Sequence, residues 1–191
     1  MSANAIKDVS QALKERLDIA LIRSTIPGEV FVGPLDDPDS SGFPLILFLY
    51  RIVPNPSLRN REHSVVSSTQ PPPVVVFQNS LPLDLYFLLT VGTTSGPSEA
   101  GPLQGLGFAL QEIQGNPELI VKDQIVRLSL EPLTTEEASR IWALFPTANY
   151  RTSVAYLATP VWIDPAQPEP VAARVVEDQL NAASRIGGVA L

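Results

Sequence analysis

The chain has 191 residues, of which 45% are hydrophobic and 17% charged, with 19 prolines and no cysteine. Its formal net charge is −7, and no Lys or Arg occurs between Arg61 and Lys122, which argues against a basic track along a nucleic-acid backbone. Without cysteine there are no disulfides, thiolate zinc sites or cysteine nucleophiles, and a reducing cytoplasm suits the chain.

This length predicts one domain, at about 150 residues per domain. The prolines point to long ordered loops or arms, and the scarcity of charge to a surface partly covered by other subunits. The opening M-S-A-N-A-I-K-D-V-S has neither the basic start nor the apolar centre of a signal peptide. No uncharged apolar stretch approaches the ~20 residues of a membrane-spanning helix, so no direct membrane insertion is expected.

In chain order, Ile6, Val9, Leu13, Leu17 and Ala20 recur at helical spacing and predict a helix over 4–23, with Asn4 placed to cap it. E-V-F-V-G at 29–33 reads as a strand, and L-D-D-P-D-S-S-G after it as an acidic turn. F-P-L-I-L-F-L-Y-R-I-V at 43–53 is apolar at both parities up to Arg51, as in a strand covered on both faces. Pro54 and Pro56 stop it, and S-S-T-Q-P-P-P at 67–73 reads as an extended polyproline piece.

A second apolar strand is predicted over 81–91 with Asp84 in its first half, followed by a glycine-proline loop at 92–102. The next helix, 103–114, is expected to bury Leu103, Leu106, Leu110 and Ile113 and to close at Gly115-Asn116-Pro117. Residues 125–131 alternate, with Val126, Leu128 and Leu130 inward. Thr134-Thr135-Glu136-Glu137 is a capping-box pattern before a short helix, and 150–163 reads as the last long strand. The expected fold is α+β: a mixed sheet with helices packed on it, over residues 1–163, and a proline-led arm over 164–191.

Signals for chemistry are sparse. His63 follows the proline corner and would need a partner to act as a general base, so it is read as an exposed loop histidine. Asp84 must face solvent, pair with an arginine or rise in pKa, and an ion pair or subunit contact is the expected outcome. G-L-G-F-A-L at 105–110 lacks the third glycine of a dinucleotide loop, and no phosphate loop or nucleophile elbow occurs. No cofactor and no metal are expected.

Arginines are more telling. Tyr50-Arg51 and Tyr150-Arg151 repeat one pair on two predicted strands, which would set ring and guanidinium on opposite faces. If both arginines project from one exposed face, a partner's carboxylates can dock there; alternatively they pair with local acids such as Asp84 or Glu131.

The stretch L-F-L-Y-R-I-V-P-N-P-S-L-R-N, residues 47–60, resembles the signature of a bacterial family. This is the N-terminal domain of tube-terminating cap proteins in contractile injection systems of the antifeeding-prophage and virulence-cassette type. A-I-K-D-V-S-Q-A-L, L-P-L-D-L-Y-F-L-L-T, L-G-F-A-L-Q-E-I-Q-G-N-P-E-L, L-T-T-E-E-A-S-R-I-W-A-L-F and Y-R-T-S-V-A-Y are similar to its further motifs, in order, over 3–163. Two departures stand out: family members often have histidines where this chain has Leu103 and Gln114, and some continue into a long further domain.

The resemblance implies a structural role without catalysis, similar to that of phage tail terminators. Six copies would form a ring on the last inner-tube ring, stop its growth and contact the terminal sheath ring. The implied partners are the chain itself, the inner-tube protein and the sheath protein, in a particle assembled in the cytoplasm. The expected interface is the rim loop 54–61, with Asn55, Leu58, Arg59, Asn60 and Arg61, supported by Arg51, Tyr150 and Arg151. The alternatives are another completion or baseplate-adaptor component of such a particle, or a small ligand-binding domain or enzyme using Asp84 and His63.

Overall fold

Burial on both faces puts the two most apolar strands at the middle of a sheet, and the computed structural model has them there. It describes residues 3–66, 74–77, 79–93, 100–122 and 124–166. The strands are β1 (Val30–Val32), β2 (Leu45–Pro54), β3 (His63–Val66), β4 (Val74–Phe77), β5 (Leu81–Val91), β6 (Glu118–Val121), β7 (Gln124–Glu131) and β8 (Ser153–Ile163). The helices are α1 (Ala5–Arg23), α2 (Ala100–Gly115) and α3 (Thr135–Trp142). A six-stranded sheet runs β1-β2-β5-β8-β7-β6, and β3-β4 is a separate two-stranded sheet. Among the described strands of this sheet β1 alone pairs in parallel, with β2; β2-β5, β5-β8, β8-β7 and β7-β6 are antiparallel, so the sheet is mixed and the class α+β.

Alternation along β2 and β5 feeds two cores. Leu45, Leu47, Leu83, Leu85, Phe87 and Leu89 face α1 and α2 in the larger one. Ile46 and Leu88 point the other way, to Leu35, Trp142 and Phe145 beneath α3 and the 33–44 loop. α1 turns Val9, Leu13, Leu17, Ala20 and Leu21 onto the sheet, as its spacing requires. Asn4 holds the N-cap position without a side-chain capping bond. The capping box of α3 is complete: Thr134 Oγ1 accepts from Glu137 N–H, and the Glu137 carboxylate accepts from Thr134 N–H. Gly92 donates to the Pro44 carbonyl so closely that a Cβ there would stand 1.8 Å from the Phe43 oxygen.

The structure corrects several details. α2 starts at Ala100 and buries Pro102, leaving Leu103 42% exposed. Leu130 is 58% exposed because β7 runs beyond the area that the helices cover. β6 and the β3-β4 hairpin are strands of four residues, too short for a periodic signal. Tyr150 to Thr152 precede β8 as a loop. The expected polyproline piece at 67–73 and residues 167–191 of the expected arm lie outside the described residues.

Phe87, fully buried between β2, β8 and the helices, sets the scale of the core. Phe87→Ala is expected to cost about 3–5 kcal/mol in chemical unfolding. Ile120→Ala, at a side chain 77% exposed, should stay within about 0.5 kcal/mol. Equal losses at the two positions would contradict this placement of the core.

Candidate assembly interface

Pro54 ends β2, and Asn55 then turns its N–H and its side-chain amide inward. Its N–H donates to the Pro82 carbonyl at 2.9 Å, and its Oδ1 accepts from Ser57 N–H and Leu58 N–H, both at 3.0 Å. That is the local turn in which an asparagine side chain closes on the backbone just ahead of it. Its Nδ2 donates to Asp84 Oδ1 at 2.8 Å and to Thr159 Oγ1 at 3.2 Å. Thr159 Oγ1 also donates to Asp84 Oδ1.

Asp84 thus forms no ion pair among the described residues. Its carboxylate is 8% exposed and makes hydrogen bonds to neutral side chains from β2's corner and from β8. A buried carboxylate is tolerable when its lone pairs are occupied, and here that requirement pins the corner to the sheet. Leu58 is half-buried, and Arg59, Asn60 and Arg61 stand exposed beyond the turn closed by Arg61 N–H on the Leu58 carbonyl.

The two Tyr-Arg pairs behave differently from their expected pattern. A bulge between Leu49 and Arg51 inserts Tyr50 as an extra residue, so ring and guanidinium share the α3 face instead of opposing each other. The Arg51 guanidinium lies over the Tyr86 ring at 5.0 Å, and the Tyr50 and Tyr86 rings are 6.1 Å apart. No ion pair holds Arg51 among the described residues, so pairing with Asp84 or Glu131 is not what positions it.

Arg151 sits at the other end of the sheet. Register sets Arg51 opposite Tyr86 and Ser153 opposite Thr90, which separates the arginines by about 20 Å along the strands. Arg151 is half-buried, its Nη1 has no acceptor among the described residues, and burial lowers its pKa. Tyr150 is 69% exposed, with its ring 5.4 Å from that of Trp142. The candidate residues therefore form two groups: Arg51 with the 54–61 corner, and Tyr150 with Arg151.

His63 is not an exposed loop residue. It opens β3, stacks on Trp162 with ring centres 4.7 Å apart and planes 7° from parallel, and its Nδ1 lies 2.7 Å from Asp164 Oδ1. Ser80 Oγ donates to that same oxygen at 2.7 Å. With both bonds ending on one carboxylate oxygen, the trio is a clamp and lacks the serine-to-histidine bond of a nucleophile and its base. Thr159, Ser80, Trp162 and Asp164 escaped the sequence reading because their partners lie far along the chain, His63 and Asp164 being 101 residues apart.

Burial pushes the Asp164 carboxyl up, but hydrogen bonds, including those from Ser80 and His63, outweigh it and hold the pKa below its ordinary value. A depressed folded-state pKa gives stability that is present above the unfolded value and lost as pH falls through the folded one. Asp164→Asn should therefore lower the urea midpoint at pH 7, and the gap from the parent should close below about pH 4. A gap that persists undiminished in acid would contradict the clamp. Asn55→Ala, which strands Asp84, is expected to cost about 1–3 kcal/mol by the same unfolding measurement; a loss below ~0.5 kcal/mol would show that the corner does not depend on it.

Comparisons with known proteins follow the same lines. The model of the Pvc16 N-terminal domain matches residues 8–177. No curated protein matches the chain. It is similar to the sheath/tube terminator of an extracellular contractile injection system, PVC, in the extended state, with TM-score 0.59, 18% identity, and coverage of 95% of this chain and 65% of that one. It is also similar to the tube-terminating cap of the anti-feeding prophage, with TM-score 0.61, 18% identity, and coverage of 84% and 56%. The chain thus spans less than two thirds of either structure's length, and at this identity the likeness is one of fold. With the family model covering most of its length, the chain belongs to the Pvc16 N-terminal domain family.

Proposed function

We propose that the chain is a tube-terminating cap of a phage-tail-like contractile injection system. Copies of it form a ring, six being the expected number, on the last inner-tube ring, stop tube growth and contact the terminal sheath ring. The observation that carries this reading is the fold shared over 95% of the chain with a sheath/tube terminator. Among the described residues no helix is long and apolar enough to cross a membrane, and no three His, Asp or Glu side chains converge as a metal site.

Physical requirements of a terminator suit the two separated groups of candidate residues. A ring of identical subunits joined head to tail needs two different patches on each subunit. The 54–61 corner supplies one, with Leu58, Arg59, Asn60 and Arg61 outward, Arg51 beside them, and Asn55 as the internal staple that shapes them. Its two prolines and its hydrogen-bonded turn are set before binding, which reduces the ordering cost on docking. Tyr150 and Arg151 belong to the opposite end, where Arg151's unoccupied donor suits a partner's carboxylate or carbonyl. We assign residues 1–163 to the capping domain and 164–191 to an arm that reaches a neighbouring subunit or the sheath.

Deleting the gene should yield particles with overlong or ragged tubes and intact baseplates when imaged by negative stain. Tubes of normal length with baseplates missing would refute the cap and mark a baseplate adaptor.

A further inference from the structure

α3 and the 33–44 loop cover only half the length of the sheet face on which they lie, the half toward the start of β2. At the far end of the other half the Asn55 corner buries Asp84 and His63 stacks on the buried Trp162, which leaves the stretch between them open. Toward the end of β2, Val53, Tyr86 and Leu157 are half-buried and belong to neither core. Register lines up Arg51, Tyr86, Leu157 and Ser129 as one row across β2, β5, β8 and β7, and the next row holds Thr159 beside Arg127. Arg59 and Arg61 are exposed just past the end of β2.

Charge divides along the same boundary. Arg51, Arg59, Arg61 and Arg127 have no ion pair among the described residues. The acids near them are Glu62, Glu118 across from Arg127, the buried Asp84 bonded to Asn55 and Thr159, and Glu137 of α3, which feels the charge of Arg51. The covered half bears Asp36 and Asp39, both exposed, with half-buried Asp37, and the exposed Glu136 and Glu137 of α3. Arg140, paired with Glu136, and half-buried Arg151 are the cations there. The ten residues of β2 keep the corner about 30 Å from the acidic loop, well beyond the ~8 Å over which exposed charges interact at physiological salt. Within one subunit the corner's Arg59 and Arg61 are therefore out of reach of the acidic loop, while Arg51 lies in the field of Glu137.

We propose that the open half of one copy docks the acidic covered half of the next, with Arg51, Arg59 and Arg61 facing the Asp36–Asp39 loop. The fit is one of charge and of composition: a half-buried tyrosine under an arginine, with a half-buried leucine beside it, is the mixture found at the centre of protein interfaces. The contact joins two different surfaces, as head-to-tail closure needs. This proposal rests on the ring reading and names its counter-surface.

The test uses the full chain in assembled particles. Three variants are compared with the parent: Arg51→Glu with Arg59→Glu, Asp36→Lys with Asp39→Lys, and all four substitutions together. Cap occupancy at tube ends is scored by immunogold labelling and negative stain, and circular dichroism of each purified variant confirms the fold. Each two-site reversal should reduce occupancy about tenfold, and the four-site variant should recover most of it, because its charges are swapped and again complementary. Parent-level occupancy in either reversal, or no recovery in the four-site variant, would overturn the proposal. Loss with the arginine variant alone would give the open half an acidic surface of the tube as its partner, and would overturn it as well. If the parent itself is absent from tube ends, the cap reading has failed; if the parent is present and the reversals are too, only the counter-surface has.

Discussion

The lower end of this subunit depends on one buried carboxylate. Asp84 sits in the middle of an apolar strand, where an unsatisfied charge would cost several kcal/mol. It is tolerated because Asn55, in the corner after β2, and Thr159, on β8, donate to it. The requirement runs both ways: satisfying Asp84 draws Asn55 inward, and Asn55's remaining oxygen then closes the turn that thrusts Arg59, Asn60 and Arg61 outward. The proline-flanked asparagine is thus the hinge pin of the corner, while the arginines beyond it are what a partner would meet.

The same economy shapes the rest of the sheet. β2 and β5 are covered by helices on both faces near one end, but near the other α3 and the 33–44 loop no longer reach. On that face Asp84 is buried by the Asn55 corner while Arg51 and Tyr86 stay open. The bulge at Tyr50 falls at this boundary, adding its ring to the upper core and turning Arg51 onto the open face above Tyr86. A subunit with one open, arginine-bearing half and one covered, acidic half has a built-in direction. That is the property a head-to-tail ring requires, whatever its number of copies.

Much of the fold was legible because the long elements carry strong periodic signals. α1, β5 and the capping box of α3 follow directly from spacing and composition, and β2 needed only a shift of its ends. What stayed hidden was set by contacts distant in sequence. His63 looked like a loop residue because nothing near it marks Trp162 and Asp164 as its partners. Asp84 looked like half of an ion pair because hydrogen bonds to neutral Asn55 and Thr159 leave no charge pattern to read. The opposite-face expectation for Tyr50 and Arg51 failed because a bulge inserts a residue without a local signature. Leu103 and Leu130 are apolar at the right parity yet exposed, since periodicity reports a face and not how far the neighbouring layer extends.

A cryo-EM reconstruction of the baseplate-distal end of the assembled particle bears most directly on the central claim. The account predicts a closed ring of this chain on the last tube ring, with Arg59 and Arg61 of each copy against the acidic loop of its neighbour. A single copy there, or density for the chain at the end that meets the target cell, would contradict it.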